Sequence, residues 1–219
     1  MISRGRESRV WRLLLLVAIG MALPAAARAD DSAGTRPSAS YPPGDAARGK
    51  ALADICLTCH DKNGVPAGDP PVPPPRLRHQ RASSIFYALH DYKTGRRQSD
   101  IMGPQVEDLT EQQMRDLAAY LAGPPLTHPP HAKLADDPIH KETSTRCDLC
   151  HGETGMGEMQ GIPLLTGQVQ GYLERALAEY RDGRRADPTM AAVAQSLRPE
   201  DDAAFAHYYS VQEALEPAQ

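Results

Sequence analysis

Apolar residues recur at helical spacing along much of the chain, and the clearest run follows Thr110. Its apolar side chains lie at i, i+3, i+4 and i+7, which places them on one face of an α-helix. Thr110 and Gln113 have the spacing of a capping box, and Gly123 marks the end of the run. A helix is therefore predicted between Thr110 and Gly123. The apolar positions of its face are Met114, Leu117, Ala118 and Leu121.

The same periodicity predicts further helices elsewhere in the chain. Two are expected over about Ser83 to Lys93 and Gln170 to Arg181, and a third starts with Pro199 in its first turn and continues through Tyr209. A shorter helix is expected over each of two cysteine motifs, at 56–60 and 147–151. Few stretches alternate apolar and polar residues as a β-strand does. The predicted fold class is all-α.

Two halves of the chain repeat each other at an offset of 88 residues. From Pro75 to Leu121, 13 of 47 positions are identical to the residue 88 positions later. The repeat predicts two equivalent domains at 44–122 and 141–216, joined by a proline-rich linker at 123–140. The cysteine motifs lie 147 − 56 = 91 residues apart. The three extra residues are therefore expected in the Pro- and Gly-rich stretch 63–74, where a loop accommodates them.

The N-terminal segment has the features of an export signal. Four arginines precede the apolar run Leu13–Leu23, and Ala27-Arg28-Ala29 follows it as a cleavage sequence. A retained membrane anchor is the alternative, but this run is much shorter than the ~20 residues that span a bilayer. We predict a signal peptide at 1–29, export to the periplasm, and a disordered Ser-, Gly- and Pro-rich segment at 30–43.

Charge and composition narrow the possible functions. The whole chain has a net charge of −4, and removal of five Arg and one Glu with the signal peptide leaves 24 − 5 = 19 basic and 28 − 1 = 27 acidic residues, a net charge of −8. An acidic exported protein is a poor candidate for binding nucleic acid. The chain has only two Phe, eight Tyr and one Trp. Something other than aromatic side chains is therefore expected to fill its interior.

All four cysteines lie in two copies of a C-x-x-C-H motif, Cys56 to His60 and Cys147 to His151. A lone C-x-x-C pair in an exported protein could be a disulfide or a thiol redox pair. The histidine after each pair favours covalent haem c instead, with two thioether bonds from the cysteines and an imidazole reaching the iron. A zinc ion needs four ligands, and neither motif has a second Cys or His pair nearby to complete such a site. The predicted cofactors are two haems c, attached through Cys56, Cys59, Cys147 and Cys150.

The repeat also selects the second axial ligand of each iron. Of the five methionines outside the signal peptide, only Met102 and Met190 occupy equivalent positions. Haem iron in electron carriers is usually completed by Met or a second His. The predicted ligand sets are therefore His60 with Met102, and His151 with Met190. Met114, Met156 and Met159 are interpreted as core or loop residues.

With these motifs the sequence resembles the dihaem class I cytochromes c, and cytochrome c4 in particular. The resemblance covers about Gly44 to Gln212 and includes the segment 163–168 and the Gly183-Arg184-Arg185 stretch before Met190. It implies two tandem class I cytochrome c domains, each wrapped around one haem, in which Pro75 and Pro163 offer carbonyl groups to the proximal histidines. It also implies an electron carrier between a quinol-oxidising cytochrome complex and a terminal oxidase, with loose association with the membrane. We expect a monomer.

Two other functions remain open from the sequence. One is a dihaem enzyme, such as a peroxidase or a sulfur-compound dehydrogenase, and the other is an electron-accepting subunit of a periplasmic dehydrogenase complex. The equivalent Met pair favours the carrier, because an enzyme is expected to leave one iron open. No catalytic residue is predicted. Basic residues near each Met, such as Arg96, Arg97, Arg184 and Arg185, could pair with haem propionates, dock an acidic partner or form a solvated face.

Overall fold

The structure is a computed structural model that describes residues 41–60, 73–124, 138–157 and 159–212. The predicted signal peptide at 1–29, most of the predicted disordered segment and most of the predicted linker lie outside these residues. All the described residues belong to one unit, Ser32–Gln219. No β-strand occurs among them, and the all-α prediction is confirmed.

Ten α-helices and one 3-10 turn form the described part of the chain. The helices of the first half are α1 (Ala46–Lys50), α2 (Asp54–His60), α3 (Ala82–Lys93), α4 (Met102–Val106) and α5 (Glu111–Ala122). Those of the second half are α6 (Pro138–Arg146), α7 (Asp148–His151), α8 (Gln170–Arg181), α9 (Pro188–Ser196) and α10 (Asp202–Ser210), with the 3-10 turn Pro199–Asp201 before α10.

The sequence signals at the ends of α5 act as predicted. The Thr110 hydroxyl accepts a hydrogen bond from the Gln113 N–H at 3.2 Å, and the Gln113 side chain accepts one from the Thr110 N–H at 2.8 Å. Gly123 ends the helix with a positive φ of 63°, which a residue without a Cβ adopts at little cost. Met114, on the inner face, is 2% exposed, and its interpretation as a core residue is confirmed.

Three helix boundaries differ from the prediction. Helix α6 starts at Pro138, inside the predicted linker, because a proline fits the first turn of a helix. Cys147 lies between α6 and α7 rather than inside a helix over its motif. The last helix begins as a 3-10 turn at Pro199, because a tighter turn is common at helix ends.

The core of the first half lies between α3 and α5, and α1 packs against α5. Arg48 of α1 donates to the buried Asp116 carboxylate from Nε at 2.7 Å and from Nη2 at 3.0 Å. These bonds hold the pKa of Asp116 well below its usual range. Buried in this core are Ala53, Ile85, Phe86, Leu89, Val106, Met114, Leu117, Ala118, Leu121 and Ala122.

The two halves meet through equivalent segments. Arg97 and Arg185, 185 − 97 = 88 residues apart, lie opposite each other in an antiparallel bridge. A backbone hydrogen bond flanks the bridge on each side, and the offset of 88 exchanges one bond for the other. The two halves therefore contribute equivalent residues to this contact. The two bonds are Gln98 N–H to Arg184 O at 2.8 Å, and Ala186 N–H to Arg96 O at 2.7 Å.

Candidate haem-binding sites

Each motif histidine is the last residue of its helix and is held from one side of its ring. His60 ends α2 with 7% of its surface exposed, and His151 ends α7 with 6% exposed. Nδ1 of His60 lies 3.0 Å from the Pro75 carbonyl oxygen, and Nδ1 of His151 lies 2.9 Å from that of Pro163. A carbonyl oxygen only accepts, so Nδ1 carries the proton and Nε2 keeps its lone pair for a metal.

The electrostatic surroundings keep both imidazoles neutral. Burial lowers the pKa of His60 and of His151, and the proline carbonyls oppose this only in part. The positive charge of Arg97 lowers the pKa of His60 further, and Arg185 does the same for His151. A neutral imidazole with a fixed tautomer is the form that binds iron. Both carbonyl contacts implied by the family resemblance are confirmed.

The first cysteine of each motif is placed as a thiol with a raised pKa rather than as a reactive thiolate. None of the four is in a disulfide. Burial raises the pKa of Cys56, and burial is also the main cause that raises the pKa of Cys147 to about 11. Redox-active C-x-x-C pairs have a lowered thiol pKa instead. The interpretation as a dithiol redox site therefore loses support.

A zinc ion held by protein ligands alone has no candidate site in the described part of the chain. No group of three or more His, Cys, Asp or Glu side chains in residues 41–60, 73–124, 138–157 and 159–212 could hold a metal ion.

Within the same ranges, no helix combines the length and apolar character needed to cross a bilayer.

Met102 and Met190 make similar local contacts and occupy equivalent positions in the sequence repeat. Each lies in the first turn of a short helix and is partly buried. The backbone N–H of Met102 donates to Ser99 Oγ at 3.1 Å, and that of Met190 donates to Asp187 Oδ1 at 2.9 Å. Ser99 and Asp187 are also 88 residues apart, although only Asp187 is the N-cap of its helix, and the N-cap of α4 is Ile101. Sequence identity alone did not reveal them, because the two side chains differ.

The basic residues near the methionines divide into exposed and buried members. Several pair with acidic side chains or carbonyl groups within the chain. Arg96 pairs with Asp91 at 3.3 Å, Arg181 with Asp202 at 2.7 Å and Arg184 with Asp182 at 2.8 Å, while Lys93 donates to the carbonyl oxygens of Glu107 and Leu109. Half of the Arg184 side chain is exposed.

Arg97 and Arg185 behave differently from their neighbours. Arg97 is 4% exposed, its Nη2 lies 3.7 Å from Glu179 Oε2, and its guanidinium carbon lies 4.6 Å from the ring centre of Tyr92. The Arg185 guanidinium carbon lies 4.5 Å from the ring centre of Tyr180. Tyr92 and Tyr180 are equivalent by the repeat. Each half therefore places one arginine over a tyrosine, close enough to its own motif histidine to lower that histidine's pKa.

These residues fit covalent haem c. Each half offers two free thiols at the i, i+3 spacing and an imidazole whose Nε2 is available. Arg97 Nε is buried and makes no hydrogen bond to any described residue. A buried guanidinium N–H of this kind suits an anionic group such as a propionate. Iron ligation by Met102 and Met190 remains a prediction.

Comparisons with known proteins agree with this assignment. A family model described as cytochrome c matches residues 46–123. The chain is similar to cytochrome c4 of Thiocapsa roseopersicina, with 34% identity over 75% of this chain and 91% of that protein. It is 30% identical to a thiosulfate dehydrogenase electron acceptor of Stutzerimonas stutzeri over 72% of this chain and 79% of that one. The crystal structure of reduced cytochrome c4 from Pseudomonas stutzeri superimposes with a TM-score of 0.65 at 25% identity, covering 78% of this chain and all of that one.

Proposed function

The chain belongs to the cytochrome c4 family of dihaem cytochromes, and from this premise we propose that it carries electrons in the periplasm between a quinol-oxidising cytochrome complex and a terminal oxidase. As a member of that family it is an electron-transfer protein with two tandem cytochrome c domains, two covalently bound haems c and redox proteins as partners. The proposed periplasmic location is supported by the signal peptide predicted at 1–29.

The residues of the chain bind, orient and shield the two cofactors. When bound, haem iron supplies a reversible one-electron couple. His60 and His151 would ligate the iron through Nε2, held in orientation by the carbonyls of Pro75 and Pro163. Met102 and Met190 would supply the second ligand of each iron. A thioether ligand favours ferrous iron and would therefore raise both potentials.

The observation that carries the proposal is the equivalence of the two sites. Each has a buried histidine bonded through Nδ1 to a proline carbonyl, and each has a methionine, in the first turn of a short helix, whose backbone N–H donates to the side chain three residues earlier. An enzyme that binds a substrate at iron needs one site with an open position. The chain provides the same residue types at both sites, which suits two saturated irons that only exchange electrons.

An optical experiment tests this proposal. The purified exported protein is expected to yield two haems c per chain in a pyridine haemochrome assay and to show the weak red charge-transfer band of Met-ligated ferric haem. The reduced protein is expected to bind carbon monoxide only very slowly, because Met102 and Met190 would occupy the position that carbon monoxide needs on each iron. Rapid binding of one equivalent of carbon monoxide would contradict the carrier and support a dihaem enzyme.

Arg97 and Arg185 would each hold a haem propionate and place a positive charge close to the iron. A nearby cation disfavours the ferric state, which carries one more positive charge than the ferrous state. At an effective dielectric constant of about 20, a unit charge held near the iron would change the ferric–ferrous balance by about 1–2 kcal/mol. Arg184, which lies beside Arg185 but is half exposed, should have a much smaller effect.

Substitution of these neighbouring arginines gives a matched pair of variants. Arg185→Met is expected to lower the reduction potential of the haem in the second domain by an amount corresponding to about 1–2 kcal/mol. Arg184→Met should change that potential much less. Spectroelectrochemical titration of each variant measures both potentials. Equal shifts in the two variants would show that the Arg185 charge affects the haem potential no more than the Arg184 charge does.

A second candidate function is electron acceptance from a sulfur-compound dehydrogenase. The similarity to the protein named as a thiosulfate dehydrogenase electron acceptor favours it. The two functions differ in the electron donor, and the haem chemistry is the same. Stopped-flow reduction of the oxidised protein, with a quinol-oxidising complex or with a thiosulfate dehydrogenase as donor, separates them. Fast reduction by the dehydrogenase alone would favour the acceptor role.

A further inference from the structure

Two glutamine side chains cross the interface between the domains at equivalent positions. Gln80 donates through Nε2 to the Leu164 carbonyl oxygen at 2.9 Å and accepts from the Leu164 N–H at 2.8 Å. Gln168 makes the same pair of bonds with the Arg76 backbone, donating at 3.0 Å and accepting at 2.7 Å. The repeat offset of 88 relates Gln80 to Gln168 and Arg76 to Leu164. The same pair of hydrogen bonds therefore occurs twice in the interface, once from each domain.

The backbone groups that these glutamines hold adjoin the haem sites. Leu164 follows Pro163, so the Leu164 N–H and the Pro163 carbonyl belong to the same peptide group. That carbonyl accepts the bond from His151 Nδ1 at 2.9 Å. The same peptide is thus bonded to His151 on one side and to Gln80 on the other. In the other domain, the Pro75–Arg76 peptide links His60 to Gln168 in the same way.

We propose that Gln80 and Gln168 tune the proximal histidine of the opposite domain. Gln80, in the first domain, acts on His151, and Gln168, in the second domain, acts on His60. Both are positioning residues that act through a shared peptide group. The inference rests on the proposed function only in that His60 and His151 bind the two irons.

Hydrogen-bond cooperativity gives the direction of the effect. An amide whose N–H donates is more polarised, so its carbonyl oxygen is a stronger acceptor. The bond from the histidine Nδ1–H is then stronger, and the imidazole becomes a more basic ligand. A more basic ligand stabilises ferric iron, so each glutamine lowers the potential of the opposite haem. Loss of the glutamine should raise that potential.

The geometry also restricts movement of the carbonyl. Both bonds of each glutamine lie between 2.7 and 3.0 Å, and Gln168 is 6% exposed. The glutamine oxygens accept a second bond from the N–H of the next residue, Arg81 or Val169, at 3.0 Å. Each amide is thereby fixed at the start of α3 or α8. The proline carbonyl that orients each histidine is held by a fixed group rather than by solvent.

Substitution of each glutamine in the intact dihaem protein tests the crossed arrangement. Gln80→Met is expected to raise the potential of the haem bound by His151 and leave the other unchanged, and Gln168→Met should do the reverse. The expected change is up to about tenfold in the ferric–ferrous equilibrium constant, or about 59 mV for a one-electron couple. Spectroelectrochemistry gives the potentials, and contacts of the haem methyl groups with their own cysteines in NMR spectra assign them.

Ser83→Ala is the matched control. Ser83 Oγ also accepts a hydrogen bond across the interface, from the Gly161 N–H at 3.3 Å. The carbonyl of that peptide belongs to Gln160, and no hydrogen bond joins it to a motif histidine. This variant removes a neutral contact between the domains and is expected to change neither potential. A shift as large as that of Gln80→Met would indicate a general effect of loosening the interface and would overturn the proposal.

Other outcomes are equally decisive. The proposal is wrong if each Met variant changes the haem of its own domain, if both haems shift equally, or if neither shifts. Where Gln80→Met does not assemble with both haems, Gln80→Ala supplies the test, because it removes both bonds to Leu164 without adding bulk or charge. The potential of the His151 haem should then rise, and a fall or no change contradicts the proposal. Haem counts and charge-transfer bands of every variant report separately on the proposed ligation.

Discussion

Replacement of Met190 by alanine is expected to open the sixth coordination position of the haem in the second domain while the haem stays attached. The charge-transfer band should lose about half its intensity, and the reduced protein should bind one equivalent of carbon monoxide rapidly. The potential of that haem should fall by tenths of a volt, because axial ligands set haem potentials over about 0.8 V. The backbone N–H of this position keeps its bond to Asp187, so the helix cap is preserved.

The repeat supplies the companion variants and the chain supplies the controls. Met102→Ala should give the same result at the haem in the first domain, and the double variant should bind two equivalents of carbon monoxide. Met159→Leu changes an exposed loop residue, and Met114→Leu changes a core residue of similar volume. Both should leave the charge-transfer band intact. A lost band in Met159→Leu, or an intact spectrum in Met190→Ala, would require a different axial ligand.

Loss of both cysteines in the second motif is expected to unfold the second domain. The Cys147→Ala and Cys150→Ala double variant should carry one haem per chain by mass spectrometry. The predicted domain 141–216 spans 76 residues, and a single core of that size rarely supplies more than about 3–5 kcal/mol. The haem is expected to provide the large apolar body that the sparse aromatic residues lack. Circular dichroism and hydrogen exchange should show loss of α8 and α10.

The equivalent variant of the first motif is the comparison. The buried cluster of the first domain includes Phe86, Met114 and Leu117, whereas the cluster around Tyr208 and Tyr209 is smaller. Loss of Cys56 and Cys59 should therefore leave more protected amides than loss of the second pair. Equal unfolding, or a second domain that stays fully protected without its haem, would show that core size does not govern the dependence on haem.

Local sequence signals were sufficient for the secondary structure near the sites. The capping box at Thr110 and the stop at Gly123 gave the bounds of α5, because both signals act within one turn of the helix. Helix α8 has the predicted bounds 170–181. The short helices α4 and α9 that carry the methionines were not predicted individually. These helices have five and nine residues, which is too short for an apolar periodicity to be recognised in the sequence.

The charged residues near the methionines show where sequence is insufficient. Arg184 and Arg185 are adjacent in the chain and identical in type, yet one is half exposed beside Asp182 and the other lies over Tyr180. Nothing in the local pattern separates them. Their environments depend on which side of the antiparallel bridge faces the interior, and the docking of the two halves decides this.

The sequence by itself determined the two haem attachments, the all-α class and the equivalence of the two halves. These follow from contacts between residues that are close in the chain, where spacing fixes geometry. Only the tertiary structure decided that Gln80 reaches the peptide holding His151 and that Gln168 reaches the peptide holding His60. These bonds join residues 84 and 92 positions apart. Their geometry depends on how two folded domains pack, and no spacing within either domain specifies it.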